Sequence, residues 1–131
     1  MSNFSKVFHF MHSFGQETLS RPTLPHVGLA ELRLDLIQEE VDELATAFIN
    51  QDIVEIADAL TDILYVTYGA GHAFGLDLDE CFEEVHQSNM SKLGIDGKPI
   101  YREDGKVLKG RGYKPPQLAR IIQSKLQGDY L

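Results

Sequence analysis

The chain has 131 residues, of which 43% are hydrophobic, the size of one domain with enough apolar surface for a buried core. Its net charge of −8 argues against binding to nucleic-acid polymers, and no run of about eighteen apolar residues is present that would cross a membrane. The single cysteine, Cys81, excludes an internal disulfide, so we expect a reducing, cytoplasmic location.

Apolar residues at helical spacing predict four helices in the first part of the chain. The segment Asn50-Gln51-Asp52 breaks the pattern between the second and third helices, and Asp77 is placed as the N-cap of the fourth. Gly69, Gly71 and Gly75 are expected to loosen the connection after the third helix. The predicted helices span Ser5–Phe14, about Leu29–Ile49, about Ile53–Ala70, and Asp77 to about Leu93.

The character of the sequence changes after Gly94. Residues 92–131 carry nine Lys/Arg against four Asp/Glu, whereas residues 1–91 carry three against sixteen, so the basic end is either solvated surface or a contact for phosphates. Two short β-prone runs around Asp104-Gly105 predict a hairpin, and a short helix is expected from Gln117 to Leu126. The predicted fold class is all-α. We expect one domain over residues 1–131, with an antiparallel helical bundle at about residues 7–93 and a basic C-terminal loop or short hairpin over residues 94–131.

Several carboxylates lie where a helix would place apolar residues. At roughly 100° per residue, Glu40 falls inside the apolar arc of the second predicted helix. Glu43 falls between Leu32 and Leu36 on the same wheel, and Glu39 lies at the edge of the arc. The apolar side of this helix consists of Leu32, Leu36, Ile37, Val41, Leu44 and Phe48.

The third predicted helix repeats the pattern, because Glu55, Asp58 and Asp62 share one narrow face. Two helices joined by a short turn pack antiparallel, so both acidic faces would meet at one site. Two carboxylates about 5 Å apart repel by roughly 3 kcal/mol at an effective dielectric near 20, so a group of them holds protons or binds cations. Oxygen ligands of this kind suit Mg²⁺ or Mn²⁺. The alternative is a solvated acidic face on each helix.

Five stretches of the sequence form a recognisable set. They are EExxE (Glu39, Glu40, Glu43), ExxD (Glu55, Asp58), the helix from Asp58 to Val66, the segment His86–Lys92, and the tail Arg102–Pro116. Together they resemble the MazG-like, all-α nucleoside triphosphate pyrophosphohydrolases, although the eleven residues between the two acidic motifs are slightly short of the usual spacing. The resemblance covers roughly residues 7–118 and points to the subgroup related to phosphoribosyl-ATP pyrophosphohydrolase and to dimeric dUTPases.

The resemblance implies a helical bundle that assembles as a homodimer or homotetramer. It also implies Mg²⁺-dependent cleavage, with Mn²⁺ as a substitute, of a nucleoside triphosphate to monophosphate and pyrophosphate. Residue by residue, Glu40, Glu43, Glu55 and Asp58 match the metal ligands of the family. Glu39 matches the additional acid associated with the attacking water or a further metal, and is the predicted catalytic residue.

Four residues are expected to bind the substrate. Asn89 and Lys92, three residues apart, would face the same cavity, although a bond from Asn89 to a backbone carbonyl is an equal alternative. Lys109 and Tyr113 are expected to contact phosphates. The favoured activity is house-cleaning hydrolysis of dNTPs or dUTP. Two alternatives stay open: hydrolysis of phosphoribosyl-ATP, or a catalytically silent helical module that senses nucleotide.

Overall fold

The computed structural model describes residues 1–128, and these form five helices without a named strand. The all-α prediction is confirmed. Within this range, no helix has the length and apolar character needed to cross a lipid bilayer. The helices are α1 (Asn3–Ser13), α2 (Val27–Ile49), α3 (Ile53–Ala73), α4 (Leu78–Met90) and α5 (Leu118–Gly128).

The reversal between α2 and α3 is encoded in three residues. Asn50 ends α2, and Gln51 adopts the left-handed backbone conformation with φ of 52°. Asp52 then caps α3, since its Oδ1 accepts hydrogen bonds from the backbone N–H groups of Val54 and Glu55 at 3.1 and 3.2 Å. With so short a turn, α2 and α3 pack against each other antiparallel.

Gly69 and Gly71 do not loosen the chain as expected, because α3 continues through both of them to Ala73. Both are buried, and the absence of a side chain permits close packing. A Cβ at Gly71 would lie 2.5 Å from Leu78 Cδ1. Gly75, with φ of +68°, follows the helix and leaves room for the carbonyl oxygen of Arg21. The predicted end of this helix at about Ala70 is therefore too early, since α3 ends at Ala73.

The first compact unit, Met1–Leu78, contains α1, α2 and α3. Phe4, Val7 and Met11 of α1 are buried, and Phe4 stacks on His72 of α3 with ring centroids 3.8 Å apart. The irregular segment between α1 and α2 is bonded to the end of α3. Leu19 donates its N–H to the carbonyl of His72 at 2.9 Å, and Thr23 donates to that of Phe74 at 3.0 Å.

The second compact unit begins at Asp79 and contains most of α4, the basic loop and α5. Ser91 stops α4 short of the predicted Leu93, since its hydroxyl donates to the carbonyl of Ser88 at 2.6 Å and accepts from the N–H of Lys114 at 2.9 Å. The predicted hairpin is reduced to one antiparallel bridge between Tyr101 and Val107.

Apolar faces of α2 and α3 lie open to solvent in the single chain. Phe48 is 73% exposed, Ile53 74% and Leu64 55%, although helical spacing assigns them to apolar stripes. Ala47 of α2 and Ala59 of α3, both small, are buried. The patterns predicted both helices correctly, but the faces they mark are only partly covered by this chain.

Candidate metal centre

Three carboxylates of the first unit converge between α2 and α3. Glu40 and Glu43 lie one turn apart on α2, and Asp62 lies on α3. One carboxylate oxygen from each lies within 4.8 Å of the others. A group of this kind on two antiparallel helices is the arrangement expected from the acidic faces.

Glu40 is a half-buried member of this group. Its Oε2 atom is fully buried and has no hydrogen-bond partner. Burial raises the pKa of the Glu40 carboxyl, and interactions with Glu43 and the charges of Asp62 and Asp58 raise the pKa further. A buried oxygen left without a donor is unfavourable, so this atom is suited to accept a cation.

Asp62 responds to the same surroundings. Burial raises the pKa of its carboxyl first, followed by repulsion from Asp58 and from Glu43. The pKa values of both half-buried acids are therefore raised in the absence of a counter-ion. Opposed ligands of a magnesium ion lie about 4 Å apart, given bonds of about 2.1 Å, so small side-chain movements bring these oxygens into range. The carboxylates fit a hard divalent cation.

The structure brings together part of the predicted ligand set. Glu40 and Glu43 meet directly, and Asp58 contributes through its charge. Glu55 instead lines a cavity of about 510 Å³ together with Glu43. Asp62 takes a position in the cluster that the sequence motif did not assign, although it shares a helix face with Asp58. The signal for it was the i, i+4 spacing from Asp58, which places both on the same side of α3.

Glu39 is exposed, which agrees with its place at the edge of the apolar arc. The wheel also predicts that Glu40 is less exposed than Glu39, and the structure agrees, since Glu40 is half-buried. Glu43 is more exposed than its apolar neighbours on the wheel indicated.

The expected substrate residues all lie in the second unit. Asn89 is exposed near the end of α4, and the neighbouring Ser88 is buried. Lys109 lies with its Nζ 4.7 Å from the ring centroid of Tyr113. The N–H of Gly110 donates to the carbonyl of Lys92 at 2.8 Å, which holds the basic loop against the end of α4.

The comparison with known proteins confirms the resemblance to the MazG-like pyrophosphohydrolases. The profile of the phosphoribosyl-ATP pyrophosphohydrolase family matches residues 7–89, which is more than half of the chain. The chain belongs to this family.

Two further proteins are similar. Uncharacterized protein L479 of Acanthamoeba polyphaga mimivirus is 36% identical over 100 residues, which cover 76% of this chain and 38% of the viral protein. The chain thus spans well under half the length of that curated relative. A crystal structure of a candidate NTP pyrophosphohydrolase from Exiguobacterium sp. 255-15 is 25% identical, with a TM-score of 0.52 over 99% of this chain and 96% of that one.

Proposed function

We propose that this protein is a Mg²⁺-dependent nucleoside triphosphate pyrophosphohydrolase that removes dNTPs or dUTP, releasing the monophosphate and pyrophosphate. The observation that carries the proposal is the bare, buried Oε2 of Glu40 within a group of three carboxylates. A structural acidic face would leave its oxygens in water. Family membership supplies the reaction class.

Glu40, Glu43 and Asp62, with Asp58 beside them, are the residues that would hold Mg²⁺ or, in its place, Mn²⁺. Glu55 is also a proposed metal ligand, and it lines the same cavity as Glu43. A bound metal ion would neutralise part of the triphosphate charge and would lower the pKa of a water bound to it.

Glu39 is the proposed general base. It is exposed and directly precedes Glu40 in the chain, so its carboxylate is free to accept a proton. The oxygen of a water bonds to the α-phosphorus, and the bond from that phosphorus to the bridging oxygen of the β-phosphate breaks. Pyrophosphate leaves with the bonding electrons, and the proton of the water passes to Glu39.

The basic loop supplies the proposed phosphate contacts. Lys92 and Lys109 contribute charge, Tyr113 orients Lys109 through its ring, and Asn89 offers an amide from the end of α4. The unit containing this loop has an excess of cations after residue 91, which suits a polyanionic substrate.

We further propose that the open apolar faces of α2 and α3 pair with a second copy, giving a homodimer or homotetramer in the cytoplasm. Contiguous apolar faces left open on a chain often mark sites of protein–protein contact. Sedimentation should report an oligomer for the wild type and a smaller species for Leu64→Lys, which charges an exposed apolar position. A monomeric wild type overturns this part of the proposal.

A nucleotide panel tests the activity. The chain is incubated with Mg²⁺ or Mn²⁺ and with dUTP, the four dNTPs and phosphoribosyl-ATP, and products are separated by chromatography. Pyrophosphate with a monophosphate is expected, and a nucleoside diphosphate as first product contradicts the assignment. Phosphoribosyl-ATP is the second candidate substrate, because the matching family profile carries that name. Faster turnover of phosphoribosyl-ATP than of any dNTP would establish it.

A further inference from the structure

A second cavity of the first unit lies at the N-terminal half of α2. It encloses about 350 Å³. Its walls combine leucine side chains with a few polar groups, the composition of small-molecule sites. The lining residues are Gly15, Gln16, Glu17, His26, Gly28, Leu29, Leu32, Arg33 and Leu36.

Arg33 is the unusual member of this lining. It is only 6% exposed, yet among residues 1–128 no carboxylate forms an ion pair with it. Its Nε has no hydrogen-bond partner, and Nη2 donates to Oε1 of Gln16 at 3.3 Å. Burial lowers the pKa of the guanidinium, as expected for a cation without a counter-charge. A buried cation of this kind gains from any acceptor that enters the cavity.

The guanidinium is held in a fixed place. Its Nη1 lies over Gly69 of α3, where a Cβ would come within 2.7 Å. Gln16 holds the opposite end, and because its Oε1 accepts from Arg33, its amide NH₂ remains a donor. The cavity therefore presents two neighbouring donors that are ordered before a ligand arrives.

The cavity and the acidic cluster occupy one side of α2. Arg33 and Glu40 are seven residues apart, two turns, so they share a face and are separated by about 10 Å along the helix. This is the order of the distance between the base and the outer phosphates of an extended nucleotide. A triphosphate at the carboxylates would bring its nucleoside toward Arg33.

The lining favours a flat, neutral ring over a second phosphate. Leu29, Leu32 and Leu36 offer apolar contact to ring faces. Glu17 also lines the cavity and would repel an anion; it accepts a hydrogen bond from Nε2 of His26 at 3.3 Å. The Nδ1 of His26 accepts from the N–H of Leu29, so His26 is already satisfied. Arg33 and Gln16 are then the groups that can donate hydrogen bonds to polar atoms at the edge of a ring.

We propose that this cavity receives the nucleobase, and that Arg33 with Gln16 selects bases with a keto oxygen at pyrimidine position 4 or purine position 6. A guanidinium donates only, so it pairs with a keto oxygen and opposes the amino group that cytosine and adenine carry there. The inference rests on the proposed function, and it predicts that dUTP, TTP and dGTP are preferred over dCTP and dATP.

Binding of product nucleotides in chelator tests the cavity without metal or turnover. Calorimetric titration should give dUMP roughly tenfold or more tighter binding than dCMP. Arg33→Met should bring the ratio near one, whereas Arg21→Met, the same change at an exposed arginine outside the cavity, should keep it. Equal binding of dUMP and dCMP by the wild type, or an unchanged ratio in Arg33→Met, overturns the proposal.

Gln16→Glu is the second variant, needed in case Arg33→Met fails to fold. Gln16 is exposed, and the new carboxylate would form an ion pair with Arg33 across the existing 3.3 Å contact. We expect a higher Tm and loss of the dUMP preference, since the donors of Arg33 become occupied. If Gln16→Glu still binds dUMP more tightly than dCMP, the proposal that this cavity receives the nucleobase is overturned.

The two proposals fail separately. If the wild type discriminates dUMP from dCMP but releases no pyrophosphate from any nucleotide, the proposed function fails and the cavity assignment stands. If pyrophosphate is released equally from dUTP and dCTP, and from dGTP and dATP, the cavity assignment fails and the proposed function stands.

Discussion

At the residue scale, the adjacent positions Glu39 and Glu40 of α2 have two different proposed roles, general base and metal ligand. Glu40 turns inward with a buried oxygen, and Glu39 stays in solvent. Because successive residues of a helix point roughly 100° apart, one can contact a cation while the other reaches a water at its edge. Their substitution should therefore have different consequences.

Glu39→Gln should lower kcat by roughly 10²–10⁴-fold, the usual contribution of a general base, and leave metal binding nearly unchanged. Glu40→Gln should instead weaken metal affinity. Turnover at saturating Mg²⁺ and metal titration by calorimetry separate the two effects. Asp35→Asn, at an exposed acid of the same helix, is the control and should alter neither. Full turnover in Glu39→Gln would remove Glu39 from the mechanism.

Stability without metal should depend on pH through the same acids. The pKa values of Glu40 and Asp62 are raised from ordinary values of 4.5 and 3.8, so protonation favours the folded state. Their contribution is complete below those ordinary values and is lost as pH rises through the raised ones. Melting curves in chelator should show Tm falling over that range. Glu43→Gln should flatten the fall, because it removes one repelling charge. A Tm that rises there instead contradicts the assignment.

At the element scale, the glycines of α3 determine how closely other segments approach it. Gly71 packs against the Leu78 side chain and Phe4, whereas Gly28 of α2 is exposed and its nearest neighbour, His26, would lie 3.5 Å from a Cβ. The same substitution should thus have opposite signs at the two helical positions.

Gly71→Ala should destabilise the fold by about 1–3 kcal/mol through overpacking against Leu78. Gly28→Ala should stabilise it by about 0.4–1 kcal/mol, because the unfolded chain loses freedom. Chemical denaturation measures both, and a double variant with Leu78→Ala should recover part of the Gly71→Ala loss. Stabilisation by Gly71→Ala would mean that the close contact does not exist.

These elements also mark what the sequence could and could not predict. Helical spacing located α2 and α3, and the wheel placed Glu40 inside because burial follows a fixed angle. The end of α3 was misplaced because glycine lowers helix propensity locally, and tertiary packing overrides that preference. The role of Asp62 depends on the register between α2 and α3, which no single helix contains. Arg33 was missed because a lone arginine carries no periodic signal.

At the scale of the whole molecule, the carboxylates make folding and metal binding one equilibrium. Repulsion among Glu40, Glu43, Asp58 and Asp62 opposes the folded state, and a cation that binds only this state relieves it. Divalent ions should therefore stabilise the folded state by more than the screening of charges alone would.

Mg²⁺ should stabilise the chain by about 2.7 kcal/mol at one hundred times its Kd, which raises Tm by several degrees. Sodium chloride at matched ionic strength is the control, because it screens exposed charges without entering the site. Glu40→Gln should reduce the Mg²⁺ effect, while its metal-free form melts no lower than the wild type. Equal Tm in Mg²⁺ and NaCl over a wide concentration range would mean that the carboxylates do not form a site.

The irregular segment between α1 and α2 is tied to α3 through the N–H groups of Leu19 and Thr23, bonded to His72 and Phe74. Amide hydrogens in such a connection normally exchange with solvent quickly. Here each amide can exchange only when the end of α3 releases it, so both should share the exchange rate of that helix end. Deuterium uptake followed by NMR should show Leu19 and Thr23 as slow as the last turn of α3. The segment that contains Gln16 would then unfold locally together with the end of α3. The position of Gln16 beside Arg33 would be kept for as long as that helix end stays folded.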